Sequence, residues 1–269
     1  MQITDYPKTS ELVENNVFLI DGPEGTKTIG ALDAILAALH ELSPENHKRV
    51  FRGKSLGNTV TYEQLVAIQN GTFKDIWLGD YWEINGVKWR VADFDYWKGT
   101  GDTTFTNHHL VIVPDTHLYT YKMNDSATTG GAYLGSKLYA SGLASAKTTI
   151  KNAFSGSLLT RRSFFNNTVD TGVATAGAWC DSQVDLMNEL MMFGSYIHTG
   201  CGVEAKRYTT DKTQLALFQV APQYMLSGTT CWLRDVASAK AFAAIGYQGT
   251  AKPEIATTEG GVRPVFAIG

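Results

Sequence analysis

Charge is scarce in this chain. Lys, Arg, Asp and Glu make up 18% of its 269 residues, against about 25% in an ordinary soluble domain. The net charge is −3, so no basic excess argues for nucleic acid as a partner. Cysteine is scarcer still. Cys180, Cys201 and Cys231 are the three present, too few for a disulfide scaffold and without a C-x-x-C pair. Long apolar runs are also missing. The most apolar stretch, Ile29 to Leu42, is short and interrupted by Asp33, His40 and Glu41, so it is not expected to enter a bilayer. The start, Met1-Gln2-Ile3-Thr4-Asp5, shows no basic residues leading into an apolar stretch. Synthesis in a cytoplasm is therefore expected, which favours three buried thiols over a Cys201–Cys231 bridge.

What is present can build a core. Hydrophobic residues reach 43% and aromatics 11%, enough for one large domain, or one domain with a small accessory segment. Thr, Ser, Asn and Gly fill the space left by charge and point to loop-rich β structure. No internal repeat interrupts that pattern.

Val17 to Asp21 reads as a strand, Gly22-Pro23-Glu24-Gly25 as a turn and Thr26 to Ile29 as the returning strand. The glycine spacing is wrong for a phosphate loop, and the segment joins two strands. A helix follows, with Leu32, Ile35, Leu36 and Leu39 at helical spacing. A polar, linker-like stretch from Asn46 to Asn58 leads to a short helix over Thr61–Ile68, capped by Thr61 and followed by Gly71.

The sharpest local signal is Asp80 to Val91, where Asn85-Gly86 sits between two alternating runs. It predicts a two-residue type I′ turn. Ile84 then faces Val87, Trp82 faces Trp89, Glu83 faces Lys88 and Tyr81 faces Arg90, and every pair suits its partner. His109 to Pro114 is a central strand ended by its proline. Leu134–Phe154, weakened at Gly142, and a run from Asp181 or Ser182 to Gly194 are read as helices. Ala216–Met225 and Cys231–Leu233 are read as short strands.

Chemistry-bearing clusters are sparse. His108, His109, His117 and Asp115 could be grouped as metal ligands, but adjacent histidines on a strand face opposite ways. A calcium site would draw on Asp93, Asp95 or Asp102. His198-Thr199-Gly200-Cys201 places a thiol near an imidazole, which spacing alone does not make a catalytic pair. No metal, no cofactor and no catalytic residue is assigned.

The closing region carries a frame. Trp232-Leu233-Arg234 and Gly261-Val262-Arg263-Pro264 enclose a stretch of small and polar residues. An arginine in an apolar strand requires a partner, so Trp232, Arg234 and Arg263, with Trp82 and Trp89, are read as a structural clasp. The enclosed segment, with Ser238, Lys240, Phe242, Tyr247 and Gln248, is read as a displayed ligand-binding loop.

Gly79-Asp80-Tyr81-Trp82, Ile84-Asn85-Gly86, Trp89-Arg90-Val91, Trp232-Leu233-Arg234 and the closing Gly261-Val262-Arg263-Pro264, in that order, resemble an uncharacterised domain family of bacteriophage and gut-bacterial surface proteins. That family is similar in fold to C-type lectins and formylglycine-generating enzymes. Thr9 to Leu39 resembles the attachment portion of phage tail or fibre proteins. The resemblance implies an α+β fold: a C-type-lectin-like domain over residues 51–269, with a mostly antiparallel sheet, two flanking helices and long loops. A small hairpin-and-helix attachment segment would occupy residues 1–50. Formylglycine-generating activity is not implied, since no cysteine constellation supports it, and no Glu-Pro-Asn or Gln-Pro-Asp triplet supports calcium-dependent sugar binding.

The function expected from that resemblance is a non-enzymatic virion protein, a tail-tip or fibre adhesin. It would bind a glycan or protein of the host surface, contact other virion proteins, and assemble as a homo-oligomer, a trimer being favoured, through Leu32, Leu36 and Leu39. Nucleic acid and membrane insertion are not expected. The alternatives are a structural baseplate, tail or capsid decoration protein and, less favoured, a glycan-active enzyme.

Overall fold

The Asn85-Gly86 turn folds as its residues dictate. Both central residues adopt positive φ, 53° and 75°, the geometry of a type I′ turn. The turn joins strand β3 (Tyr81–Ile84) to β4 (Val87–Phe94). The register sets Tyr81 against Arg90, Trp82 against Trp89, Glu83 against Lys88 and Ile84 against Val87, each pair as predicted.

The structure is a computed structural model that describes residues 17–22, 25–42, 44–200, 211 and 213–269. Its contacts divide the chain into two units, Met1–Asn46 and His47–Gly269. In the first, β1 (Val17–Gly22) and β2 (Gly25–Gly30) form an antiparallel hairpin followed by helix α1 (Ala31–Leu42). Pro23 and Glu24, between the strands, lie outside the described residues. Leu36 is buried and Leu39 half-buried, whereas Leu32 and Ile35 are 48% and 42% exposed. Of the three residues assigned to an oligomer surface, Leu32 is the exposed one, Leu39 is partly covered and Leu36 is buried. No described helix is long and apolar enough to cross a membrane.

The second unit is α+β, with mostly antiparallel sheets and few helices. Helix α2 (Tyr62–Gln69) starts at Thr61, whose hydroxyl accepts from Gln64 N while the Gln64 amide oxygen accepts from Thr61 N, a capping box. The same amide oxygen accepts from Trp82 Nε1 at 3.0 Å, docking α2 on the hairpin. Strands β5 (Leu110–Pro114), β9 (Val184–Leu186) and β14 (Pro264–Ile268) complete a five-stranded sheet in the order β3-β4-β5-β14-β9. The chain's last strand thus lies inside this sheet. Strands β6 (Tyr119–Lys122), β10 (Cys231–Val236), β11 (Ala241–Ile245), β12 (Ala251–Ile255) and β13 (Glu259–Val262) make a second five-stranded sheet, ordered β12-β11-β10-β13-β6. The single residue Arg263 carries the chain from β13 in one sheet to β14 in the other.

Aromatic packing ties the first sheet to helix α3 (Ala144–Phe154). The Phe154 ring meets Trp82, Trp89 and Phe266 at centroid distances of 6.3, 5.7 and 5.1 Å, mostly edge to face. A ribbon of β7 (Arg161–Asp170) and β8 (Val173–Ser182) stands as a separate two-stranded sheet.

Four expectations are corrected. Asn46–Asn58 is no linker: His47 is buried and stacked on Trp77, and the Asp80 carboxylate receives Arg52, Lys54 N and Trp77 N. The helix over Leu134–Phe154 is broken into a π-turn (Leu138–Gly142) and α3. The Tyr119 hydroxyl inserts there, donating to Gly142 O at 2.6 Å and accepting from Ala146 N at 3.2 Å, in place of the bond the two backbone groups would share. The helix from Asp181 or Ser182 is reduced to α4 (Glu189–Phe193), because Val184–Leu186 pair with β14 and Asn188, not Asp181 or Ser182, supplies the cap. Ala216–Met225 holds helix α5 (Ala216–Val220) and a 3-10 turn at Pro222–Met225 rather than strands.

Two glycines separate turn chemistry from close packing. Nothing lies within 4 Å of a Cβ built on Gly86, whereas one on Gly261 would sit 2.7 Å from Cys231 Sγ and 2.8 Å from His117 Cβ. In urea unfolding, Gly86→Ala is expected to cost about 1 kcal/mol, from the positive φ alone. Gly261→Ala is expected to cost more, in the range of about 1–3 kcal/mol seen for overpacked cores. Equal losses would contradict this reading.

Candidate functional site

Helix α3 docks through Ala146, Ile150 and Phe154, which are buried at one-turn intervals. That spacing turns Lys147, Thr148 and Lys151 to solvent. Facing them is the chain running from Leu158 into β7 and from β8 into β9. Strand β14 fixes that wall: Leu158 bridges to Ile268, Leu159 N donates to Ala267 O, and Val184 pairs with Phe266. Between helix and wall lies an open cleft of about 520 Å³.

Leu158 and Val184 give the cleft an apolar floor, and Tyr139, Lys147, Lys151, Thr160, Asp181 and Gln183 line its sides. The Tyr139 ring is held edge-on by Tyr133 and Phe165, at 4.9 and 5.9 Å. Burial raises its hydroxyl to about 12, so it stays neutral and can donate. Lys147 Nζ lies 5.4 Å from the centre of that ring. Across the cleft, Gln183 Nε2 donates to Thr160 Oγ1 at 3.0 Å. A fixed aromatic ring, amide and hydroxyl groups and two ammonium groups suit a polar, ring-shaped ligand, and the volume is that of a small-molecule site.

A second polar group lies on the same unit. His108 Nδ1 is 2.6 Å from Asp95 Oδ2 and its Nε2 is 2.6 Å from Lys98 Nζ, so both ring nitrogens are engaged. Behind it the Trp97 ring stacks between His109, at 5.8 Å, and the Arg161 guanidinium, at 3.9 Å. Burial lowers His109 to about 4, keeping it neutral, and it accepts from Trp97 N.

Beneath β7 and β10 runs a buried ionic network. Arg161 pairs with Asp185, which also receives the Ser182 hydroxyl at 2.6 Å. Arg234 pairs with Asp211, which takes Trp97 Nε1 and Asn188 Nδ2 at 2.9 Å each. Glu189 accepts the backbone N–H groups of Ile197, His198 and Thr199, and Asp235 accepts Glu189 N at 2.6 Å. This network fastens the chain after α4 to the second sheet.

The residues read as a displayed loop are separated by the fold. Phe242 is fully buried in β11, which overturns its place in a ligand loop. Ser238 and Lys240 are exposed before β11, and Tyr247 and Gln248 are exposed after it, so the strand holds the two pairs apart. The framed segment is β structure, not loop: Ala241–Ile245 is buried throughout. Trp82, Trp89, Trp232, Arg234 and Arg263 are all buried, but they do not meet as one clasp. Trp82 and Trp89 sit in one core cluster and Trp232 in the other. Arg234 joins the Asp211 network, whereas Arg263 donates to Pro114 O at 2.9 Å.

Asp93, Asp95 and Asp102 take different partners: the N–H groups of Phe94 and Ala216, then His108, then Arg162. Asp115 is held by Arg90. Among the described residues no group of three His, Cys, Asp or Glu is placed to hold a metal ion. Cys231 is a buried free thiol, Cys180 a half-buried one, and Cys201 lies outside the described residues. Sequence reasoning passed over Tyr139, Lys147 and Lys151. The four-residue spacing of the lysines was the available signal. No family model, curated protein or solved structure matches this chain.

Asp235 supplies a test of the buried network. Burial raises its carboxyl from 3.8 to about 7. Between those values the folded chain keeps a proton that the unfolded chain releases, so this group makes stability fall as pH rises through the interval. The unfolding free energy of wild type minus that of Asp235→Asn should therefore decline from pH 4 to pH 7 in urea titrations. A constant difference would show that Asp235 does not titrate in that window.

Proposed function

We propose that the unit His47–Gly269 is a C-type-lectin-like binding module of a bacteriophage virion protein, a tail-tip or fibre adhesin that engages host-surface polysaccharide without turning it over. The observation that carries the binding reading is the cleft beside α3, where the fixed Tyr139 ring, Lys147 and Lys151 stand over an apolar floor with Thr160 and Gln183 opposite. A pyranose ring presents an apolar face to stack on an aromatic side chain and hydroxyls to pair with amides and hydroxyls. The two ammonium groups favour a saccharide that carries carboxylate or phosphate.

The virion assignment rests on the resemblance of the Gly79–Trp82, Ile84–Gly86, Trp89–Val91, Trp232–Arg234 and Gly261–Pro264 motifs. Support for the lectin-like plan comes from the closing strand β14, which lies in the same sheet as the opening hairpin β3–β4, with α3 against that sheet. One cleft of this size binds weakly, and many copies on a particle supply avidity.

Purified chain is expected to bind isolated host cell-wall polysaccharide in a pull-down and in calorimetry. Tyr139→Ala and the Lys147→Gln/Lys151→Gln pair are each expected to weaken binding by about tenfold, about 1.4 kcal/mol. Absence of binding by the wild-type chain to host cells and wall polysaccharide would sink the adhesin reading. Wild-type affinity retained in both variants would remove the cleft from it.

A further inference from the structure

Arg263 is fully buried where the chain passes between the two sheets. Its Nε donates to Pro114 O, and its carbon Cζ lies 5.5 Å from the centre of the Phe218 ring. Neither terminal nitrogen, Nη1 nor Nη2, has a hydrogen-bond partner among the described residues. The titratable groups near it are Cys231, Asp115 and Arg90. Asp115 is already engaged, since Arg90 grips both of its oxygens at 2.5 and 2.6 Å. Two guanidinium groups therefore share one carboxylate, which leaves one positive charge in the joint without a counter-charge among the described residues.

Burial lowers Arg263 to about 10, which still leaves it charged at neutral pH. A buried cation without a counter-charge is strongly destabilising. Water could satisfy the two N–H groups but not the charge. The neighbouring thiol does not resolve the imbalance either. Cys231 contacts the Ser227 hydroxyl at 3.0 Å, and burial pushes its titration upward, which keeps it neutral. One further polar atom is buried and unpartnered nearby: Nδ1 of His117, whose Cβ packs beside Gly261, two residues before Arg263. Asp115 and His117 also line an open cleft of about 320 Å³.

We infer that Arg263 binds a small monovalent anion of halide size through Nη1 and Nη2, and that this ion is a structural part of the joint between the two sheets. The single excess charge sets the valence. The crowding of the joint sets the size, since Cys231 and His117 already fill the space beside Gly261. The inference is independent of the glycan reading and concerns the scaffold.

The test uses the full chain. Crystals grown in sodium bromide are expected to give an anomalous peak within hydrogen-bond distance of the Arg263 terminal nitrogens. At fixed ionic strength, replacing gluconate by chloride or bromide is expected to raise the melting temperature by about 3–6 °C per tenfold halide above the dissociation constant. Arg263→Met, where it folds, should lose that dependence, and the bromide experiment on wild type stands even if the variant does not fold. Three results would overturn the inference. The first is no bromide at Arg263. The second is bromide present with a melting temperature indifferent to halide, which marks an adventitious ion only. The third is rapid alkylation of Cys231 by iodoacetamide in the native chain at neutral pH, which makes its thiolate the counter-ion.

Discussion

Everything in the larger unit depends on moving the chain between two sheets at one buried residue. Val262 closes β13 and Pro264 opens β14, so Arg263 has neither strand's pairing to itself and sits with its charge inside the protein. Its bond to Pro114 O anchors that corner to the end of β5, whose Pro114 stands opposite Trp89 of the hairpin. The corner tolerates little bulk. The Trp232 indole occupies the space where a side chain on Gly260 would lie, and Cys231 and His117 fill the space beside Gly261. A Gly-Gly-Val-Arg-Pro ending is thus a packing requirement: two residues without side chains, one that reaches an acceptor, and one that starts a strand without needing an N–H.

The consequences reach the cleft. Once past Arg263, β14 inserts between β5 and β9, and its outer partners are Val184 and the bridge at Leu158. Those two residues are the floor of the cleft beside α3. The helix is positioned from the same sheet, through Phe154 on Trp89 and Phe266. A site assembled from a helix and a strand edge that share one anchoring strand is held more rigidly than one on free loops.

Local chemistry made part of this legible in the sequence. The Asn85-Gly86 hairpin was readable to the residue because turn type, aromatic pairing and charge pairing all specify one register. The Thr61 cap, the hairpin before α1 and the central β5 were readable for the same reason: each is decided by neighbours in sequence. What failed was decided at a distance. The helix over Leu134–Phe154 breaks because the Tyr119 hydroxyl, from a different strand, enters its hydrogen-bond ladder. The run after Ser182 becomes strand because β14 offers a sheet edge. Alanine-rich Ala241–Ile245 looked like a surface loop, yet small residues are what a buried strand needs beside bulky Trp232. The candidate site was least legible of all, since Tyr139, Lys147 and Gln183 meet only through tertiary packing.

The cleft is the point at which scaffold and function join, and its occupancy by saccharide is the central claim. It is tested most directly by titrating isotopically labelled chain with solubilised host cell-wall polysaccharide and following backbone amide shifts. The expected result is a set of perturbations confined to Tyr139, Lys147–Lys151, Thr160 and Asp181–Val184. Perturbations confined instead to the exposed turns at Ser238–Lys240 or Tyr247–Gln248 would contradict it and move the binding face to the ends of β11.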